Sequence, residues 1–210
     1  MKNENVSHKR SSLLVVGLTG NIGAGKTTVA RVLACKGIPS YDADIAAKRI
    51  LSNNKDLHAY ITKAWGSGFF SNSGLPLFKR IGQYIFAHAD ERHALESQIH
   101  PCIAKDFAVW LEKQKAVYVL LDAALLFEVN WHTHVDKVVV VIAPEALRMH
   151  RIKQRDKRQE DEIKNIMATQ MRAKEQAARA DYVIYNNERD SVLAQTDDVH
   201  KHIMALSKAR

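Results

Sequence analysis

The run Gly20-Asn21-Ile22-Gly23-Ala24-Gly25-Lys26-Thr27 follows the pattern G-x-x-x-x-G-K-T. Glycines at this spacing let the backbone turn successive N–H groups toward one concavity, and the start of a following helix adds partial positive charge. Such a cradle suits the phosphates of a nucleoside triphosphate. Gly23, Ala24 and Gly25 would line it, Lys26 would reach the β- and γ-phosphates, and the Thr27 hydroxyl would ligate Mg²⁺. Thr28 falls in the first turn of the helix behind the loop.

Acidic residues follow at the ends of apolar runs. Asp42 and Asp44 flank Ala43 just after a short strand. A carboxylate there could orient or deprotonate a hydroxyl attacking the γ-phosphate, or hold Mg²⁺ through water. Capping of the next helix is the competing role, and Asp44 is the preferred candidate for the chemistry. Asp122 closes the apolar run Val117 to Leu121, the pattern of a carboxylate beside a metal. Glu128, a few residues on, is either an acidic partner in the cleft or a surface charge. Arg148, Arg151, Lys153, Arg155, Lys157 and Arg158 form a basic run. Arg148, Arg151 and Arg155 share a helix face, and Arg151 and Arg155 are expected to close over the triphosphate.

The elements that must position these groups alternate. Leu13 to Leu18 reads as a buried strand, Lys26 to Lys36 as a helix, Ser40-Tyr41 as a short strand and Ile45 to Leu51 as a helix. His58 to Trp65 reads as a helix and Gly66 to Gly74 as a loop. Pro76 to Gln114 reads as mostly helix, interrupted near His100-Pro101. Further strands are expected at Val117–Leu121, Lys137–Ile142 and Tyr182–Ile184, with helices from Pro144 to Arg155, Gln159 to Arg179 and Asp190 to Ser207. The expected fold is α/β: a three-layer parallel sheet of the P-loop NTPase type, with a helical substrate-binding insert at about 54–114 and a helical lid at about 144–175. Residues 13–210 form one domain in this reading, after a tail at 1–12. Right-handed crossovers bring the phosphate loop, Asp44 and Asp122 to the carboxyl ends of the strands.

The chain has 210 residues, 46% hydrophobic and 26% charged, an ordinary globular composition. No apolar run reaches the length of a membrane span, and Met1 to Ser12 lacks the apolar core of a signal peptide. Cys35 and Cys102 are the two cysteines and lack metal-ligand spacing, which fits a cytoplasmic protein. The net charge of +8 points to an anionic partner, and a polyphosphate accounts for it as well as a nucleic acid does. No nucleic-acid-binding motif accompanies it. A small GTPase switch would need a guanine-reading Asn-Lys-x-Asp after a strand, and Asn54-Lys55-Asp56 lacks the spacer. Another small nucleoside or nucleotide kinase stays open on the loop alone.

Taken in order, the motifs resemble dephospho-coenzyme A kinases over about residues 13 to 205. The series runs from Gly17-Leu18-Thr19-Gly20 through Lys26-Thr27-Thr28, Asp42-Ala43-Asp44, Leu95-Glu96 and Ile99-His100-Pro101 to Leu125-Leu126-Phe127-Glu128. It continues with Arg151–Arg155, Gln170 and Ala180-Asp181-Tyr182-Val183-Ile184-Tyr185-Asn186-Asn187. Asn21, Phe78, Ala124 and Tyr185 depart from the family pattern of Gly, Arg, Pro and Asp. The resemblance implies transfer of the ATP γ-phosphate to the ribose 3′-hydroxyl of dephospho-CoA, with ATP and Mg²⁺ required. It further implies Asp44 as general base, Lys26 and Arg155 on the phosphates, and Asn186 near the adenine. His100, Glu128 and Arg151 would touch substrate. The expected partners are small molecules only, on a monomer or small homo-oligomer, with no nucleic acid and no membrane.

Overall fold

The computed structural model describes residues 13–156 and 159–208. The expected tail at 1–12, and Lys157 and Arg158 of the basic run, lie outside the described residues. In chain order the elements are β1 (Leu14–Gly20), α1 (Lys26–Cys35), β2 (Ser40–Asp42), α2 (Ala43–Asn53), α3 (Lys55–Trp65), α4 (Phe78–Ala87) and α5 (Ala89–Leu111). Then come β3 (Tyr118–Asp122), β4 (Lys137–Ile142), α6 (Glu145–Asp156), α7 (Glu160–Ala168), α8 (Ala173–Arg179), β5 (Tyr182–Tyr185) and α9 (Val192–Lys208). Contacts divide the chain into two units, one made of the residues up to Tyr41 together with those from Gln114, the other of Asp42–Lys113.

The first unit carries the sheet, in the order β2-β3-β1-β4-β5. β1 pairs in parallel with β3 on one side and β4 on the other, and β4 pairs in parallel with β5. Every residue of β1 is buried, as a central strand covered on both faces requires. That is why its sequence is a continuous apolar run rather than an alternation. Val138 to Val141 of β4 are buried as well, and their branched side chains suit a pleated surface packed on both faces. Val29 and Leu33 of α1 and Val199 and Ile203 of α9 join Val16, Leu18, Leu120, Val139 and Ile184 in one core cluster. These elements bear out the expected α/β class with its parallel sheet.

Two helical expectations change. The segment 159–179 forms two helices, α7 and α8, with a break from Thr169 to Arg172. Its backbone there bonds to other parts of the unit, as the site shows below. In the second unit, Pro101 interrupts nothing: α5 runs through it. Leu95, Ile99, Ile103, Phe107 and Leu111 are all buried on α5 at four-residue spacing. That packed stripe, continuous on both sides of Pro101, offsets the one backbone hydrogen bond the proline lacks. The chain turns at His88 instead, between α4 and α5.

The second unit is helical. Asp42 caps α2, its Oδ1 accepting from the Ile45 amide at 2.8 Å. Asn54 caps α3, accepting from the amides of Asp56 at 2.9 Å and Leu57 at 3.2 Å. α2 and α4 pack on α5. Trp65, Phe69 and Tyr84 pack against one another in tilted and edge-to-face pairs with centroids 4.9–5.4 Å apart, and the Trp65 indole donates to Glu91 at 2.7 Å. An indole that is packed on one side and polar at its tip needs such an acceptor.

Candidate active site

The phosphate loop leaves β1 and enters α1 at Lys26. Gly25 is the residue before the helix, with φ 100°, a left-handed conformation that disfavours any side chain. No side chain caps this helix start. The amides of Gly25, Lys26 and Thr27 have no carbonyl of a preceding turn to receive them, so they present donors to an anion. Gly23, at φ 78°, meets a close approach from α6: a Cβ there would lie 2.9 Å from the Arg148 carbonyl oxygen. Thr27 and Thr28 are exposed in the first turn.

Lys26 and Asp122 form an ion pair. The register of β1 against β3 sets Asp122 opposite Leu18, two residues short of the loop's first glycine. Both side chains are largely buried, 16% and 8% exposed, so solvent screens their attraction weakly. Asp122 therefore meets the lysine of the loop. It fixes the Lys26 ammonium at the carboxyl edge of the sheet.

Asn186 supports the loop from the end of β5. Its Nδ2 donates to the Ala24 carbonyl at 2.8 Å, and its Oδ1 accepts from Arg151 Nη2 at 3.2 Å. Arg151 also donates to the Gly23 carbonyl at 3.4 Å and pairs with Glu188 at 3.3 Å. Asn186 and Arg151 thus hold the back of the cradle. Arg155 does not join them. It is exposed, and its Nε and Nη2 donate to both oxygens of adjacent Asp156 at 2.7 and 2.9 Å, a pairing that raises its pKa further. Arg148, the third residue of the expected face, is buried.

The break between α7 and α8 is a joint that sequence reasoning missed. The Ile22 amide donates to Gln170 Oε1 at 2.8 Å, and Asn21 Nδ2 donates to the Met171 carbonyl at 2.9 Å. The Met171 amide donates to Glu128 Oε1 at 2.8 Å. Glu128 is thus neither a plain surface charge nor free to leave: its carboxylate anchors the segment that anchors the loop. Asn21, one of the departures from the family pattern, gives the loop a side chain that reaches this joint.

The remaining expected residues lie in the second unit. Asp42 caps α2. Asp44 is exposed in the first turn of that helix, where a carboxylate is favoured by the helix dipole. His100 is half-buried on α5, and burial lowers its pKa against the opposing pull of Glu96.

No three His, Cys, Asp or Glu side chains gather in a metal-binding group among the described residues. A divalent ion at the loop would draw its ligands from Thr27, phosphate oxygens and water. That set suits Mg²⁺, which keeps several waters and takes few protein ligands.

Comparison with known proteins gives this site a setting. The model of the family described as Dephospho-CoA kinase matches residues 14–191. The dephospho-CoA kinase of Methylococcus capsulatus is 34% identical over 198 residues, 94% of this chain and all of that protein. Among solved structures, one from Thermus thermophilus superposes with a TM-score of 0.80 at 27% identity, covering 92% of this chain and 97% of that one. The dephospho-CoA kinase from Campylobacter jejuni superposes at 0.63 with 25% identity over 93% and 98%. The match takes in the loop, the Asp122 strand end, the α7–α8 joint and Asn186 together, and by it the chain belongs to the dephospho-CoA kinase family.

Proposed function

We propose that the chain transfers the γ-phosphoryl group of ATP to the ribose 3′-hydroxyl of dephospho-CoA, giving coenzyme A and ADP, the last step of coenzyme A synthesis. The observation that carries this reading is the amide cradle of Gly25 to Thr27 with the Lys26–Asp122 pair beside it, in a chain of this family. Phosphoryl transfer asks the protein for positioning and charge stabilisation more than for covalent chemistry. Lys26 and the cradle amides hold the oxygens of the triphosphate as charge moves toward the β–γ bridge. Thr27, with Asp44 or Asp122 through water, would hold Mg²⁺, which would neutralise charge on the phosphates. Asp44 orients the 3′-hydroxyl and takes its proton as the oxygen bonds to phosphorus and ADP departs. Arg151 and Asn186 keep the loop in shape behind the nucleotide. In this reading the helical insert at about 54–114 holds the acceptor, with His100 among its contacts, and the segment at about 144–175 acts as lid.

The enzyme works in the cytoplasm on small molecules in this reading. No helix among the described residues is long and apolar enough to cross a membrane. The test is to incubate the purified protein with ATP, Mg²⁺ and dephospho-CoA and to resolve the products by chromatography. Equal amounts of ADP and coenzyme A are expected. ATP binding without either product refutes the assignment.

A further inference from the structure

Of the three arginines spaced along α6, Arg148 has a guanidinium that the fold leaves unsatisfied. It is only 7% exposed, and neither Nε nor Nη1 has a hydrogen-bond partner among the described residues. Arginine keeps its charge in proteins, so this is a buried cation without an anion bonded to it. The side chain lines a cavity of about 1010 Å³ formed by α6, α7, α8 and Asn21 of the phosphate loop.

The other charges in that cavity do not cancel it. Lys164 is paired with Glu160 at 2.9 Å, and Glu175 with Arg179 at 2.8 Å, so each is answered from outside the cavity. Arg148 and Arg172 then face the single carboxylate of Glu145 across the lining. Asn21 Oδ1, in the same lining, is a buried acceptor that also lacks a partner. Unsatisfied guanidinium donors and an unsatisfied amide acceptor together describe a complementary ligand. It carries anionic oxygens for Arg148 and one O–H for Asn21, as a singly protonated phosphate group does. A guanidinium matches two such oxygens at once.

We propose that this cavity is a phosphate-type oxyanion site, with Arg148 its principal donor. Two sources share the chemistry: free phosphate or a phosphomonoester, and the terminal phosphate of the nucleotide in the adjoining loop. The second source rests on the kinase reading; the first does not.

The test is a calorimetric titration of the whole protein with inorganic phosphate, in saturating ADP so that the loop is filled. Phosphate is expected to bind. Arg148→Met should weaken it at least tenfold, and Arg148→Lys should keep part of the affinity. Replacing ADP with a non-hydrolysable ATP analogue separates the sources. Loss of phosphate binding assigns the site to the nucleotide's terminal phosphate, and retention assigns it to a separate anion. Should Arg148→Met unfold the protein, Arg172→Met, at an exposed position, is expected to weaken phosphate several-fold. No phosphate binding to the unaltered protein overturns the proposal. So does unchanged binding in a folded Arg148→Met variant, or in Arg172→Met if that variant has to stand in. Coenzyme A formation is not read in this experiment, so a failure of the kinase assignment leaves its result intelligible.

Discussion

Gly25→Ala tests the loop at the point where backbone and side-chain packing meet. The residue sits at φ 100°, and an added Cβ would collide with Nδ2 of Asn186, the group that holds the Ala24 carbonyl. Two penalties follow. A left-handed alanine costs about 1–2 kcal/mol. Displacing Asn186 loses its bond to Ala24, worth about 0.5–1.5 kcal/mol net. Together the cradle becomes about 2–3 kcal/mol harder to form, which weakens ATP binding roughly 30- to 150-fold. Calorimetric titration with ATP measures this, and urea unfolding should confirm that the variant is folded. The two penalties can be separated with Asn186→Ala. Once the obstructing amide is gone, adding Gly25→Ala should cost only the backbone share, so the double variant binds better than the sum of the singles demands. Additive losses would refute the collision. ATP affinity within threefold of the unaltered protein would refute the argument altogether.

Further predictions address other links. Gln170→Leu leaves the Ile22 amide without its acceptor and should raise the ATP KM roughly 5- to 30-fold, from about 1–2 kcal/mol, while Gln170→Glu, which retains an acceptor oxygen, restores most of the loss in steady-state assays. Asp44→Asn should lower kcat at least a hundredfold with ATP affinity little changed, and unchanged turnover would remove Asp44 from the proton-accepting role. Leu33→Ala opens the α1–α9 side of the core and should cost about 2–5 kcal/mol in urea unfolding. His200 shares a hydrogen bond with buried Tyr118 at 2.9 Å, and burial with Lys36 nearby holds its pKa below the usual 6.5. Just below pH 6.5 the unfolded chain therefore binds a proton that the folded chain refuses, so stability is full above that pH and declines as the pH falls through the folded value. His200→Gln should make the decline shallower in unfolding curves taken between pH 7 and 5, and an identical slope would refute it.

How much was legible in the chain depended on whether the cause was local. The phosphate loop, the buried strands and the acidic strand end are written in short spans. Glycine spacing, unbroken apolar runs and a terminal Asp122 suffice to read them. The break at Thr169–Arg172 has no local cause. Its bonds go to Asn21, Ile22 and Glu128, and nothing in the helical periodicity of 159–179 announces partners so far away. Pro101 misled for the opposite reason, since a strong local signal yielded to a buried stripe extending on both sides of it. By spacing the three α6 arginines share one face, with Arg151 and Arg155 the pair expected at the triphosphate. Their different fates follow from Asp156 beside Arg155, Asn186 beside Arg151, and the burial of Arg148.

The α7–α8 joint also bears on when the protein becomes competent during synthesis. The glycine loop is made about 150 positions before Gln170 and Met171, the residues that hold its rim. Asn186, which braces its back, comes later still. A nascent chain halted before these residues carries the complete glycine motif without its supports. Nucleotide capture by this loop, as proposed, therefore waits on residues translated well after the motif itself.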